Sequence, residues 1–176
     1  MGKWVFGYGS LIWQPGFDVA QQAIARLPGY ARSFCMRSIH HRGTVAQPGL
    51  VLALDADPRS HCDGVAFRVA DGAEAATLDY LRERELISSA YLEKTLEIAV
   101  SGGASVAAVT FVIDPDHDQY CAGLDLEDQA RIISAAHGGR GPNHEYLANT
   151  VAHLKKLGID DADLAHLSAR VATLRS

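Results

Sequence analysis

The sequence predicts an α+β fold, with a closed or nearly closed sheet in the first two-thirds of the chain, one interrupting helix and a helical last third. About six segments rich in Val, Leu, Phe and Ala lie between turn signals, which is typical of strands that form a closed sheet. Apolar residues then recur at helical spacing towards the end of the chain. The segments with strand character are 3–8, 29–38, 50–54, 64–69, 92–100 and 105–113.

Capping residues predict where the helices begin. Asp71 followed by Glu74 resembles a capping box and indicates the start of the interrupting helix, whose buried stripe carries Leu78 and Leu81. Three further helices are expected in the last third, the first of them ending at His137. Their predicted starts are Asp125, Asn143 and the pair Asp160-Asp161.

Composition indicates a single globular domain over residues 1–176. The chain has 48% hydrophobic and 21% charged residues, which is usual for such a domain. Its formal net charge of −5 gives no bulk attraction to nucleic acid or to an anionic membrane. No apolar run approaches the ~20 residues that span a bilayer. Neither kind of partner is therefore expected, and the sequence leaves the oligomeric state open.

The cysteines and histidines indicate neither disulfides nor a metal site. Three cysteines far apart in sequence predict reduced thiols and a cytoplasmic location. Of the eight histidines, His40 and His41 are adjacent and would diverge in a strand, while His137 and His144 flank a glycine loop without nearby cysteine. No bound metal is expected. The three cysteines are Cys35, Cys62 and Cys121.

The N-terminal strand breaks at a glycine-containing turn that has two readings. Gly7 and Gly9 remove side chains where the backbone bends or is approached closely, and Ser10 adds a hydroxyl. The turn is either a plain strand end or a nest of backbone amides for an anion such as a carboxylate. The stretch reads Trp4-Val5-Phe6-Gly7-Tyr8-Gly9-Ser10-Leu11-Ile12.

A glutamate near the end of the interrupting helix falls on its apolar stripe. At about 100° per residue, Glu85 lies only about 20° from Leu78, whereas Glu83 lies about 140° away, towards solvent. A buried carboxylate has a raised pKa and makes a better general base. Alternatively, the helix ends near Arg84 and Glu85 is solvated or ion-paired. Arg84 and Arg82 are possible partners of Glu85, although surface charges are the commoner outcome for such residues.

The remaining polar features give weaker signals. Tyr91 follows Glu85 by six residues and could place its hydroxyl in the same pocket, although packing of the ring alone is the commoner outcome. The groups Arg37-Ser38 and Arg42-Gly43-Thr44 could meet an anion, but arginines at strand ends are usually solvated. Residues 138–143 form no P-loop and are expected to connect two helices.

Taken in order, several short motifs resemble those of the γ-glutamylcyclotransferases, in particular the ChaC branch. The resemblance runs nearly end to end, and the order and spacing of the motifs make it specific. The motifs are Val5-Phe6-Gly7-Tyr8-Gly9-Ser10-Leu11-Ile12-Trp13, Gly29-Tyr30-Ala31-Arg32-Ser33-Phe34-Cys35, Ser38 with His41-Arg42-Gly43-Thr44, Pro48 to Leu54, Gly64 to Val69, Arg84-Glu85, Gly138 to Gly141, Asn143, Glu145-Tyr146-Leu147 and Leu157-Gly158-Ile159-Asp160.

The resemblance implies a small mixed β-barrel with flanking and C-terminal helices, and an intramolecular aminolysis. The α-amine of a γ-glutamyl group attacks its own γ-carbonyl and releases 5-oxoproline, without a cofactor. In the ChaC branch the favoured substrate is glutathione, and the catalytic glutamate falls on Glu85. Where part of the family has Gly-Gly-Tyr, this chain has Ser89-Ala90-Tyr91. The expected substrate-binding residues are Gly7, Tyr8, Gly9, Ser10, Leu11, Ile12 and Tyr91.

Two alternatives remain open from the sequence. The substrate could be another γ-glutamyl peptide or a γ-glutamylamine. The chain could also be a non-catalytic module that binds γ-glutamyl groups, although such a module has no use for a buried base at Glu85.

Overall fold

The computed structural model describes residues 2–86 and 89–176. The chain divides into two compact units, and the division falls within two long strands. The first unit comprises Met1–Ser33 and Ala53–His117, and the second comprises Phe34–Leu52 and Asp118–Ser176. A single domain over residues 1–176 stays a prediction.

Five strands form a closed barrel in the order β1-β3-β2-β4-β5. β1 is parallel to β5 and antiparallel to β3, and β4 is antiparallel to both β2 and β5. The mixed barrel that the sequence and its resemblance predicted is thus confirmed. The strands are β1 Trp4–Gly7, β2 Val19–Ser38, β3 Gly49–Val69, β4 Tyr91–Val100 and β5 Ser105–Ile113.

The sequence pattern predicted two strands where the structure has one. The predicted segments 50–54 and 64–69 are the two ends of β3, and β2 begins ten residues before the predicted segment 29–38. Between its buried ends β3 is largely exposed, so the apolar pattern that marks a half-buried strand disappears there while the backbone stays extended. Arg26 of β2 forms an ion pair with Asp63 of β3 at 2.8 Å, beside this polar stretch.

The helix α1, Glu74–Glu85, interrupts the strands and packs in the first unit. Its N-cap is Ala73, which makes no side-chain capping bond, so the predicted capping role of Asp71 is wrong. The carboxylate of Asp71 instead accepts a hydrogen bond from Arg68 at 3.3 Å. Leu81 is fully buried and Leu78 is partly buried, as the predicted stripe requires.

The core of the first unit joins the N-terminal turn, α1 and the barrel. Six buried residues form the cluster, and six partly buried side chains pack against it. The buried members are Val5, Leu11, Val69, Leu81, Val109 and Phe111, and the partly buried ones are Phe17, Ala73, Leu78, Tyr80, Leu86 and Tyr91.

Three helices lie in the second unit and pack against one another: α2 Leu126–Ala135, α3 Asn143–Lys156 and α4 Ala162–Leu174. Asp125 and Asp161 cap α2 and α4 as predicted, accepting hydrogen bonds from Asp128 N at 2.8 Å and Leu164 N at 3.1 Å. α2 ends at Ala135 rather than at His137. A two-stranded hairpin follows it, formed by β6 His137–Gly138 and β7 Gly141–Pro142.

Asn143 does not cap α3, contrary to the prediction. Pro142 is the N-cap, and Asn143 is the first residue of the helix, with no solvent exposure. Its side-chain oxygen accepts from Leu50 N and its amide nitrogen donates to Leu50 O, both at 2.8 Å. The amide thus satisfies both backbone groups of a buried residue of β3. Across residues 2–86 and 89–176, no helix is long and apolar enough to cross a membrane.

Candidate active site

The N-terminal turn is held by its own hydrogen bonds and by the core. After β1, residues Ser10–Ile12 form a 3₁₀ turn in which Ile12 N donates to Gly9 O at 2.9 Å. The Tyr8 carbonyl accepts from Nε of the buried Arg32 at 2.9 Å. Leu11 is buried in the core cluster. The Ile12 amide donates the first hydrogen bond within the turn. The amides of Ser10 and Leu11 come before it in the chain, like the first N–H groups of a helix, which have no partner within the helix.

Close packing explains the glycine at the end of β1. A Cβ on Gly7 would lie 3.1 Å from both Leu11 Cβ and Phe67 Cε2. A Cβ on Gly64 of the neighbouring strand would overlap the carbonyl oxygen of Gly7. The turn therefore leaves β1 through a position that has no room for side chains, as the sequence predicted for Gly7.

Glu85 is the last residue of α1 and faces inward. Its side chain is 17% exposed, whereas Glu83 is an exposed residue. Burial raises the pKa of Glu85 above its ordinary value, and the charge of Arg84 opposes that rise. The inward placement that helical phase predicted for Glu85 is confirmed, and such a carboxylate is a stronger base than an exposed one. The alternative is also met in part, because the helix ends at Glu85 and Arg84 forms an ion pair with it.

Arg84 is not the surface charge that the sequence suggested, because its side chain is only 22% exposed. Its Nη1 donates to Gln14 O at 2.6 Å and to the Tyr80 hydroxyl at 3.2 Å. Its Nη2 donates to Ser10 Oγ at 3.1 Å, and its Nε lies 3.4 Å from Glu85 Oε1. One guanidinium thus contacts both Ser10 of the turn and Glu85.

The sequence contains a signal for the placement of Arg84. Arg84 follows the buried Thr77 by seven positions, so it lies about 20° from a buried side chain, as Glu85 does from Leu78. Arg82 is half exposed and bonds Glu93 at 2.7 Å, so its assignment as a surface charge is confirmed.

Tyr91 begins β4 and is partly buried against the core cluster that also contains Leu11 and Leu86. The structure therefore brings Tyr91, the turn and the end of α1 to one cluster in the first unit. A substrate contact through the Tyr91 hydroxyl stays a prediction.

Ser89 takes a backbone conformation that favours glycine. Its φ is 61°, in the left-handed region, at the first position of the Ser89-Ala90-Tyr91 segment. Part of the resembled family has glycine there, which adopts this region without steric cost. The departure from that pattern is therefore accommodated by a strained serine.

Ser89→Gly is expected to stabilise the protein by about 1 kcal/mol. A left-handed conformation costs an L-residue roughly 1–2 kcal/mol, and the greater backbone freedom of unfolded glycine offsets part of that gain. Chemical denaturation measures the change. The control is Ser101→Gly at an exposed turn residue whose φ is not positive, where a loss is expected. Equal effects of the two substitutions would contradict the strain at Ser89.

The other polar candidates have structural partners in the second unit. Ser38 Oγ accepts from Arg42 N at 2.9 Å. The Arg42 side chain donates to Pro142 O at 3.3 Å and lies over the ring of Tyr146, 5.7 Å from its centroid.

In the part of the chain that the structure describes, no three His, Cys, Asp or Glu side chains are grouped to hold a metal. Cys35, Cys62 and Cys121 are buried and form no disulfide.

Comparison with known proteins identifies the family. The family model for ChaC-like protein matches residues 3–174. The glutathione-specific γ-glutamylcyclotransferase of Escherichia coli K12 is 36% identical over 171 residues, which cover 97% of this chain and 73% of that protein. γ-Glutamylcyclotransferase 2-3 of Arabidopsis thaliana is 34% identical over 182 residues, covering 100% and 92% of the two chains.

The fold has a close counterpart among solved structures. The crystal structure of a selenomethionine-labelled γ-glutamylcyclotransferase specific to glutathione, from yeast, has a TM-score of 0.87 at 24% identity. The match covers 99% of this chain and 97% of that one, and it supports the α+β barrel fold. The family model and the sequence relatives show that the chain belongs to the ChaC-like family of γ-glutamylcyclotransferases.

Proposed function

We propose that the protein is a glutathione-specific γ-glutamylcyclotransferase. The observation that carries the proposal is a mostly buried glutamate with a raised pKa, linked through one arginine to the glycine-containing turn. The name of the E. coli relative supports glutathione as the substrate. In the reaction a bond forms between the α-nitrogen and the carbon of the γ-carbonyl group (Cδ of the glutamyl residue), the γ-amide bond at that carbon breaks, and 5-oxoproline and cysteinylglycine leave.

Glu85 acts as the general base in this proposal. An ammonium group cannot attack a carbonyl, so the substrate's α-amine must first lose a proton. The Glu85 carboxylate takes that proton and returns one to the leaving nitrogen. The α-nitrogen loses a second proton as it becomes the lactam N–H, and this proton balances the one with which the amine of cysteinylglycine leaves as an ammonium. The raised pKa of Glu85 suits both steps, because it makes the carboxylate a better acceptor and the carboxylic acid remains a competent donor.

The turn holds and bends the γ-glutamyl chain. The amides of Ser10 and Leu11 suit the α-carboxylate or the developing oxyanion. Gly7 and Gly9 shape the backbone of the turn that presents these amides, and Gly7 does so where it packs against Leu11 and Phe67. Tyr8 and Ile12 complete the turn, and Tyr91 places its hydroxyl near the same substrate. Fixing the chain in a ring-closing geometry lowers the entropic barrier, so no cofactor is needed for the attack.

Product analysis tests the proposed function. Purified protein with glutathione is expected to release 5-oxoproline and cysteinylglycine in equal amounts, with and without EDTA. Faster turnover of γ-glutamyl-alanine would assign a different γ-glutamyl peptide as substrate. Heat released on ligand binding without any product, measured by calorimetry, would favour a binding module. No product from a panel of γ-glutamyl peptides and γ-glutamylamines would overturn the proposal.

The proposed site of action is the cytoplasm. Three buried cysteine thiols without disulfides suit a reducing compartment. Cell fractionation followed by activity measurement in each fraction tests this location.

A further inference from the structure

We propose that Arg84 is a positioning residue that couples the substrate-binding turn to the carboxylate of Glu85. The inference rests on the proposed function and adds a residue whose role the sequence did not indicate. It starts from the five groups that surround one guanidinium: a hydroxyl and two carbonyls of the N-terminal segment, the Tyr80 hydroxyl, and the Glu85 carboxylate.

The first step of the argument is geometric. A guanidinium presents its N–H donors in a fixed plane, so groups bound at different edges are held at set positions relative to one another. Nη2 binds Ser10 Oγ at 3.1 Å, while Nε lies 3.4 Å from Glu85 Oε1 on the same planar group. Arg84 thereby fixes where the Ser10 hydroxyl lies relative to the carboxylate of Glu85, the proposed base.

The second step concerns the segment that follows the turn. Nη1 of Arg84 donates to Gln14 O at 2.6 Å and to the Tyr80 hydroxyl at 3.2 Å. The Tyr80 hydroxyl in turn packs on Gly16, where φ is 76° and an added Cβ would overlap that oxygen. Tyr80 and Arg84, in the last turns of α1, therefore contact both the 3₁₀ turn and the segment that follows it.

The third step concerns Ser10. A hydroxyl oxygen that accepts a hydrogen bond from a cation is polarised, and its own proton is directed away from that cation. Arg84 therefore orients Ser10 as a donor, which suits an oxygen of the substrate. Without Arg84 the hydroxyl rotates among several positions, so substrate binding weakens.

The fourth step concerns charge. Burial raises the pKa of Glu85, and Arg84 lowers it, which helps to keep the carboxylate ionised before the reaction. On α1, Glu83 is exposed and Arg82 is directed to Glu93 of β4, with which it pairs at 2.7 Å. Tyr91, the first residue of β4, has a phenol side chain and supplies no positive charge. Among the described residues Arg84 is thus the charge that acts on Glu85.

The test compares Arg84→Met, Arg84→Lys and the control Arg82→Met. Methionine keeps an apolar stem without charge, lysine keeps the charge without the planar fork, and Arg82→Met removes a nearby charge that does not contact Glu85. For Arg84→Met we expect kcat/KM on glutathione to fall about 10- to 100-fold, with a higher KM. The acid limb of the kcat profile should move to higher pH, because the pKa of Glu85 rises.

The two other variants separate charge from geometry. Arg84→Lys should return the acid limb towards that of the wild type but leave the KM raised, since a compact ammonium lacks the planar fork that holds Ser10 and Glu85 at set positions. Arg82→Met should stay within about twofold of the wild type in both constants. If Arg84→Met unfolds, Arg84→Lys supplies the same KM comparison in a folded protein.

A second readout separates this inference from the proposed function. The pKa of the Glu85 carboxyl is followed by carbon-13 NMR in the wild type and in each variant, and requires no turnover. An upward shift in Arg84→Met but not in Arg82→Met supports the coupling, even if glutathione is not the substrate. An unchanged pKa, or equal shifts in the Arg84 and Arg82 variants, overturns it. Absence of product from the wild type overturns only the proposed function.

Discussion

Glu85→Gln is expected to lower kcat on glutathione by about 10²–10⁴-fold, which is the usual contribution of a general base. The substitution keeps the size and shape of the side chain but removes its ability to take a proton from the α-amine. KM should change little, because the proposed mechanism assigns most of the substrate binding to the turn and not to the carboxylate. Steady-state kinetics with detection of 5-oxoproline measures both constants.

The matched control is Glu83→Gln, two positions earlier on the exposed side of the same helix. It should leave kcat within about twofold of the wild type, since the side chain is solvated. Equal losses in the two variants would contradict the assignment of the base to Glu85. Retained turnover in Glu85→Gln would remove Glu85 from the reaction altogether.

Thermal stability provides an independent check on Glu85→Gln. Because the folded-state pKa of Glu85 lies above its unfolded value, the folded state is favoured when the carboxyl is protonated. That contribution is present below the unfolded pKa and is lost as pH rises through the folded pKa. Neutral glutamine avoids the loss, so the variant should match or exceed the Tm of the wild type at neutral pH.

Asn143→Ala is expected to lower the free energy of unfolding by about 2–4 kcal/mol. The side chain has no solvent exposure, and its loss leaves both the N–H and the carbonyl of Leu50 without their 2.8 Å partners. For a chain of this size the loss corresponds to a fall in Tm of roughly 5–15 °C. Differential scanning calorimetry and urea denaturation measure it.

Two further variants define the cause of that loss. Asn149→Ala removes an exposed asparagine from the same helix and should stay within about 0.5 kcal/mol of the wild type. Asn143→Asp keeps the volume but cannot donate to Leu50 O when ionised, so it should be strongly destabilising at neutral pH and less so in acid, where the protonated acid can donate. A neutral effect of Asn143→Ala would contradict the role of the buried amide.

Local sequence patterns predicted features that depend on neighbours along the chain. The inward face of Glu85 follows from helical phase, and the caps at Asp125 and Asp161 follow from their position before an apolar repeat. β4 and β5 agree with their predicted segments to within a residue. In these elements the periodicity of the side chains and the positions of the turn residues indicate the same structure, so the local sequence is sufficient to predict it.

The features that the sequence missed depend on partners far along the chain. Asn143 has the residue type of an N-cap, but Leu50, 93 residues earlier, takes both of its polar groups. Arg84 has the residue type of a surface charge, but the carbonyl of Gln14 and the hydroxyl of Ser10 draw it inward. No window along the chain contains these pairs, because tertiary contact and not propensity decides them.

The position of β1 within the barrel has a consequence for the timing of substrate capture. β1 pairs with β3 from Trp4 to Gly7 and with β5 at Trp4 and Val5, so this short strand is paired along one edge and over its first half along the other. Amides in such a strand should exchange with solvent deuterium only when the unit unfolds. If the turn that leaves β1 binds substrate as proposed, we expect it to be shaped before substrate arrives, and binding to require little ordering of the backbone. Deuterium uptake at residues 4–7 should be slow and nearly the same with and without glutathione.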